Sequence, residues 1–190
     1  MDSTPVTYVA FVRGINVGGH KQLAMEDLVA MLHELGYPHA RSYLRTGNLI
    51  FGASGISPRD LEVILERETA RKCGIRAEYI VRTQEQITAL VIENPFPDEA
   101  VTDPSHLVVQ FTKAVPHVDQ VEALKLAVKG RETVGARVGQ DLYIYYLDGI
   151  GNSKLTGAII DRNLGTVTTG RNWNTVVKLQ ELAAEHMLTR

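Results

Sequence analysis

Two stretches rich in arginine, asparagine and glycine are the parts of this sequence best suited to bind an anion. Residues 13–19 read RGINVGG directly after an apolar run, and residues 168–175 read TTGRNWNT near the other end of the chain. Arginine presents a planar fork that matches a carboxylate or a phosphate group. These residue types indicate an anion site, but they do not specify a reaction.

Two other segments supply similar groups. Residues 45–48 read RTGN, and residues 147–154 read LDGIGNSK, in which the glycines and Asn152 precede an expected helix starting near Ser153. The N–H groups at the start of a helix favour an anion. We predict that the cationic residues neutralise a ligand and that the asparagines orient it. The predicted ligand-binding residues are Arg13, Asn16, Asn48, Lys154, Arg171 and Asn172.

Structural explanations of the same residues compete with this interpretation. Glycine and asparagine are common in turns, where they tolerate left-handed backbone, and asparagine also caps helices. Either Asn172 or Asn174 is therefore a candidate helix cap, Trp173 is a candidate packing anchor between the modules, and Arg171 is a candidate partner for an acid. The glycine spacing matches neither the phosphate-binding loop G-x-x-x-x-G-K-[ST] nor the dinucleotide motif G-x-G-x-x-G.

Signals for other chemistry are weaker. The six histidines are scattered without metal-ligand spacing, and the single cysteine, Cys73, excludes an internal disulfide. We expect no metal and no cofactor, and no nucleophile with a matching base stands out. Tyr143, Tyr145 and Tyr146 could stack on nucleic-acid bases. Packing is the favoured interpretation, because tyrosines in strands commonly pack against their neighbours.

The composition indicates an ordinary globular protein. The chain has 190 residues, of which 44% are hydrophobic and 22% are charged, and its net charge of -2 gives no overall attraction to nucleic acid or an anionic membrane. No apolar run approaches the roughly 20 residues that a membrane-spanning helix needs. We expect a cytoplasmic protein with no membrane partner, and the sequence leaves the oligomeric state open.

The periodicity of apolar residues predicts the element order β-α-β-β-α-β in each half of the chain. In the first half, for example, a strand over residues 6–12 precedes a helix, and Ser57 and Pro58 mark the start of another helix. In the second half, the last strand is predicted over residues 166–169. This order is typical of the ferredoxin-like unit, in which two helices cover one face of a four-stranded antiparallel sheet. We predict an α+β fold of two ferredoxin-like (βαββαβ) modules with antiparallel sheets, plus a C-terminal helix.

The predicted domain boundaries follow from a segment without periodicity. Residues 94–105 contain three prolines and are interpreted as a connector. The first ferredoxin-like module is therefore predicted to cover residues 1–93. The second module, with the C-terminal helix, is predicted to cover residues 106–190.

The predicted topology brings the candidate segments together. In such a unit the loops after strands one and two share one end of the sheet, and the loops after strands three and four share one end. We therefore expect residues 13–19 to meet residues 45–48 in the first module, and residues 147–154 to meet residues 169–174 in the second. If those ends of the modules face each other, all four segments converge.

The chain resembles a bacterial family of single-chain proteins of about this length that carries a domain-of-unknown-function label. The resemblance rests on five motifs in order along nearly the whole chain. They are RGINVGG at residues 13–19, TGN at 46–48, NPF at 94–96, DGIG with SKL at 148–155, and RNWNT at 171–175. The resemblance implies two ferredoxin-like subdomains. It implies no established activity, substrate or cofactor.

The leading hypothesis is a protein that binds a small anionic or phosphate-bearing ligand, such as a nucleotide, between its two modules. One alternative is nucleic-acid binding through the same basic and asparagine-rich loops, against which the net charge of -2 argues. A second alternative is an enzyme of unknown reaction. A third is that the motifs are purely structural and hold the fold together.

Overall fold

The computed structural model of the chain describes residues 5–13 and 23–188, with side chains at all of these positions except 136–138 and 187–188. Within these residues the chain forms two four-stranded antiparallel sheets and seven α-helices. The elements are β1 (Val6–Arg13), α1 (Met25–Glu34), β2 (Arg41–Ser42), β3 (Asn48–Ala53), α2 (Pro58–Cys73), β4 (Glu78–Thr83), α3 (Gln84–Ile92), α4 (Pro97–Thr102), β5 (Leu107–Thr112), α5 (Val118–Ala127), β6 (Glu132–Val138), β7 (Asp141–Tyr146), α6 (Gly157–Leu164), β8 (Thr168–Asn172) and α7 (Trp173–Leu188).

The chain divides into two compact units, each built around one sheet. The first unit comprises Met1–Ile87 with Leu179–Arg190, and the second comprises Thr88–Lys178. The boundaries predicted at residues 93 and 105 stay a prediction. The segment between them contains the short helix α4, which its lack of periodicity did not indicate. No helix in the described ranges is long and apolar enough to cross a membrane.

The first unit has the strand order β2-β3-β1-β4, with β1 in the interior of the sheet. Alternate residues of β1, such as Tyr8 and Ala10, pack in a core with Leu28 of α1 and Leu61 of α2. The strand predicted over residues 6–12 is therefore confirmed, since alternate side chains of a strand point to the same face of the sheet. The predicted cap of α2 is also confirmed, because Ser57 Oγ accepts the backbone N–H of Asp60 at 3.2 Å.

The second unit has the strand order β6-β7-β5-β8. One face of this sheet, with Val108 and Ile144, packs in a core with Leu124 of α5 and Ile160 of α6. On the other face, the Tyr143 ring lies 6.3 Å from the Trp173 ring. Trp173 is therefore a packing residue within this unit, whereas its predicted role between the modules stays a prediction.

Two predicted boundaries in the second unit are wrong. The last strand is Thr168–Asn172 rather than residues 166–169, because pairing with β5 continues through Arg171 opposite Val109 and Asn172 opposite Val108. These sheet contacts outweigh the turn preference of glycine and asparagine. Helix α6 starts at Gly157 rather than near Ser153, because Thr156 is its cap, and a 3-10 turn, Ile150–Asn152, lies between β7 and α6.

Candidate functional site

In the first unit, the end of β1 and the turn at residues 45–48 lie together, but residues 14–19, which were expected to meet this turn, lie outside the described residues. Phe11 pairs with Asn48, and the Val12 N–H donates to the Gly47 carbonyl at 2.8 Å. Arg13 is half-buried at the end of β1 and stands opposite Glu78 on β4. The predicted ligand-binding residue Asn16 lies outside the described residues.

Asn48 is fully buried, and its side chain is used within the turn. Its Nδ2 donates to the Tyr43 carbonyl at 2.9 Å and to Thr46 Oγ1 at 3.1 Å. Its own carbonyl accepts the Tyr43 N–H at 2.9 Å. These contacts give Asn48 a structural role that accounts for its presence in the TGN motif.

In the second unit, Asn172 caps the last helix. Its Oδ1 accepts the N–H of Thr175 at 2.9 Å, in the first turn of α7. An asparagine oxygen in this position satisfies one of the N–H groups that a helix start leaves without an intrahelical partner. The contact is the one that the structural explanation of Asn172 proposed.

Arg171 is 9% exposed and makes hydrogen bonds within its own strand. Its Nη1 donates to Thr169 Oγ1 and to the Gly170 carbonyl, both at 2.8 Å. Burial lowers the pKa of the guanidinium to about 10, so it remains cationic at neutral pH. An anion in solvent therefore has little access to this charge.

Lys154, by contrast, lies at an open cavity of about 300 Å³ within the second unit. The cavity forms where the start of β6 meets the loop that follows β7. We call it the lysine cavity, and it is lined by Lys129, Gly130, Arg131, Glu132, Tyr146, Leu147, Asp148, Gly149, Asn152, Ser153 and Lys154. Its volume is at the lower end of the range for sites of small ligands.

The charges of the lysine cavity are not fully compensated. Arg131 Nη1 lies 2.9 Å from Asp148 Oδ1, but their side chains are 66% and 55% exposed, so water screens this pair. Lys129 and Lys154 are exposed, and neither forms an ion pair with any residue in the described parts of the chain. Two lysines without an ion-pair partner in the described ranges therefore line one concave surface.

Glu132 lies at the wall of the same cavity. Its Oε1 accepts the hydroxyl of Ser153, whereas its Oε2 is buried and accepts no hydrogen bond from any described residue. Burial, followed by the charge of Glu132, raises the pKa of Tyr146 to about 12. The Tyr146 hydroxyl therefore stays protonated at neutral pH and can act as a donor.

The predicted helix-terminus anion site is not formed by residues 149–153. The N–H groups of Gly149, Asn152 and Ser153 donate to the carbonyls of Tyr146, Gly149 and Ile150, at 2.8, 3.2 and 3.3 Å. These bonds form the turn before α6 and occupy three of the N–H groups at positions 149–153. The φ of Gly149 is +82°, which favours glycine at this position.

The sequence pointed to Lys154 but missed Lys129 and Arg131. Both precede β6 in the charged run KGRE at residues 129–132, which looks like an ordinary solvated turn. Only the register of the β6–β7 hairpin, with Glu132 opposite Tyr146, brings this run beside the loop of Lys154. Only a prediction of the β6–β7 hairpin with this register could have placed Lys129 and Arg131 beside Lys154.

The tyrosines of β7 do not form an exposed stacking surface. Tyr143 and Tyr146 are buried, which confirms the packing interpretation for these two residues. The Tyr145 hydroxyl donates to Asp103 Oδ2 at 3.0 Å, and its ring lies 6.4 Å from the Phe96 ring. In the ranges 5–13 and 23–188, no group of three or more histidine, cysteine or acidic side chains could hold a metal ion.

Comparison with known proteins gives a family and a fold. The sequence model of the family described as "Protein of unknown function (DUF1697)" matches residues 6–143. A solved structure, that of the conserved bacterial protein SP0830 from Streptococcus pneumoniae, superposes with a TM-score of 0.73 over 95% of this chain and 99% of that chain, at 23% sequence identity. No protein with a curated description matches the sequence. At this identity the structural likeness extends to the fold alone.

Proposed function

The chain belongs to the DUF1697 family of proteins of unknown function, and from this premise we propose that it binds a small anionic, phosphate-bearing ligand in the lysine cavity of its second unit. The single observation that carries the proposal is that Lys129 and Lys154 line one cavity without an ion-pair partner among the described residues. A phosphate dianion there would receive charge-assisted hydrogen bonds from both ammonium groups.

The local contacts separate the six predicted site residues into those that belong to the proposed site, those that stay predictions and those with structural roles. Lys154 belongs to the proposed site, and Lys129 is added to it. Arg13 and Asn16 stay predictions for a ligand of the first unit. The buried, hydrogen-bonded side chains of Asn48 and Arg171 favour structural roles, as does the helix cap made by Asn172.

The experiment is a titration of the full chain with inorganic phosphate at low ionic strength, followed by backbone NMR shifts. We expect the largest shifts at residues 129–132 and 147–154. Lys129→Ala and Lys154→Ala should each weaken binding by about three- to tenfold, because each removes one charge-assisted hydrogen bond. Lys125→Ala is the matched control, because Lys125 is an exposed lysine of the same unit that pairs with Glu122 outside the cavity.

The same titration can overturn the proposal. Equal losses of affinity in Lys125→Ala and Lys154→Ala would mean that phosphate responds only to the overall charge of the protein. Shifts confined to residues outside the two cavity segments would place the anion elsewhere. Binding that survives in the Lys129→Ala, Lys154→Ala double variant would exclude the lysine cavity as the site.

Two finer statements complete the proposal. We propose that both units are ferredoxin-like, which is supported by the strand orders β2-β3-β1-β4 and β6-β7-β5-β8. We also retain a cytoplasmic location.

Nucleic-acid binding has less support, because Tyr143 and Tyr146 are buried and cannot stack on bases without rearrangement.

A further inference from the structure

Arg131 and Asp148 form an exposed ion pair at the lysine cavity. Both residues line the cavity, Arg131 directly before β6 and Asp148 in the loop after β7. Arg131 Nη1 lies 2.9 Å from Asp148 Oδ1, and the two side chains are 66% and 55% exposed. Ion pairs between exposed side chains are weak, and their free energies correspond to at most about a fivefold change in an equilibrium constant. A ligand can therefore separate this pair at little cost.

The other cationic residues of the cavity are in a different state. Lys129 and Lys154 form no ion pair with any residue in the described parts of the chain, so their charges are not compensated there. The charge of Arg131, by contrast, is compensated by Asp148. It becomes available to a ligand once the ligand takes the place of the Asp148 carboxylate.

The charge of the ligand decides whether this exchange is favourable. The Asp148 carboxylate carries one negative charge, whereas a phosphate monoester, whose second pKa is about 6, carries two at pH 8. Because Coulomb attraction is proportional to charge, the monoester attracts the guanidinium more strongly, and it also accepts both N–H groups of the arginine fork. A phosphodiester carries one charge, so it replaces Asp148 without a net gain.

We propose that Asp148 is an internal competitor for Arg131 and that the lysine cavity thereby selects a phosphate monoester over a phosphodiester. The monoester displaces the Asp148 carboxylate and binds Arg131 in addition to Lys129 and Lys154. This inference rests on the proposed anion binding and adds the chemical class of the ligand and the residue that selects it. The backbone of a nucleic acid, which consists of phosphodiesters, is disfavoured by the same competition.

Methyl phosphate and dimethyl phosphate are the two probes, and backbone NMR shifts of the full chain at pH 8 and low ionic strength measure their affinities. Wild type should bind methyl phosphate about tenfold or more tightly than dimethyl phosphate. Arg131→Ala should weaken the binding of methyl phosphate about three- to tenfold, because it removes a charge-assisted contact. The affinity for dimethyl phosphate should stay nearly unchanged, since the diester does not displace Asp148.

Asp148→Asn tests the competitor itself. Removal of the carboxylate should raise the affinity for methyl phosphate about three- to fivefold, which is the strength of the exposed pair. Glu122→Gln is the matched control without a gain, because Glu122 is an exposed acid of the same unit that pairs with Lys125 at 2.9 Å outside the cavity. In the Arg131→Ala background, Asp148→Asn should raise the affinity by less than about twofold. Urea unfolding of each variant is the folding control.

Several outcomes would overturn the inference while anion binding stands. Equal wild-type affinities for the two probes would exclude selection of a monoester. A gain from Asp148→Asn that is as large without Arg131 would show that Asp148 only repels the ligand, and an equal gain in Glu122→Gln would show an effect of overall charge. Methyl phosphate binding that survives in the Lys129→Ala, Lys154→Ala double variant would instead contradict the proposed function itself.

Discussion

His106 Nδ1 lies 2.8 Å from Asp103 Oδ2, and the same oxygen accepts the hydroxyl of Tyr145 at 3.0 Å. Because an ionised carboxylate can only accept, the contact places the imidazole proton on Nδ1. Burial opposes ionisation of Asp103, but hydrogen bonds from Tyr145 and His106 outweigh it and lower the pKa of the carboxyl. The turn between α4 and β5 is thereby tied to β7.

This cluster predicts an acid-sensitive contribution to stability. Since the pKa of Asp103 is lower in the folded chain than in the unfolded chain, its contribution is present above pH about 4 and is lost as the pH falls through the lower folded value. Urea unfolding between pH 6 and 3 should show a steeper loss of stability in wild type than in Asp103→Asn. Identical slopes in wild type and Asp103→Asn would contradict the prediction.

Asn48→Ala should destabilise the first unit rather than abolish the binding of a ligand. The substitution removes the Nδ2 donor of the partly buried hydrogen bond to the Tyr43 carbonyl, and we expect a loss of about 1–3 kcal/mol in the free energy of unfolding. Chemical denaturation is the measurement, and Asn174→Ala, at an exposed asparagine, is the control with little expected change. Unchanged stability together with lost phosphate binding would restore Asn48 as a ligand-binding residue.

Local patterns were predictable from the sequence where both partners of a contact lie close along the chain. The capping box at the start of α3 is an example, because Thr83 N–H donates to Gln86 Oε1 at 2.9 Å and Gln86 N–H donates to Thr83 Oγ1 at 3.2 Å. The same reasoning correctly located Ser57 as the cap of α2. The order of helices and strands could be predicted because the apolar residues of each element repeat with the period of that element.

The candidate site was harder to predict, because one residue type serves several purposes. An asparagine that caps a helix, as Asn172 does, has the same local sequence signals as one that contacts a ligand. Lys129 and Lys154 are 25 residues apart in the sequence, and only the register of the β6–β7 hairpin brings them to one cavity. Arg171 is likewise buried because its strand pairs with β5, whereas its neighbours Gly170 and Asn172 are residue types that favour a turn.

Asn172→Ala should remove the cap of α7 and lower the free energy of unfolding by about 1 kcal/mol. Asn172→Asp should recover most of this loss, because an aspartate oxygen can accept the Thr175 N–H and its charge favours the start of a helix. Thermal and urea unfolding of the three proteins test the prediction. A loss in Asn172→Asp as large as that in Asn172→Ala would exclude the capping role.

Gly135→Ala tests the packing of the NPF motif. The Phe96 N–H donates to Asn94 Oδ1 at 2.9 Å, and the buried Phe96 ring lies directly over Gly135, where an added Cβ would collide with it. A collision with a buried aromatic ring forces displacement, so we expect a destabilisation of about 1–3 kcal/mol by urea unfolding. Gly151→Ala is the matched control, because a Cβ there meets nothing within 4 Å. Equal stability of the two variants would show that the Phe96 ring moves aside without cost, and the NPF motif would then need an explanation other than packing.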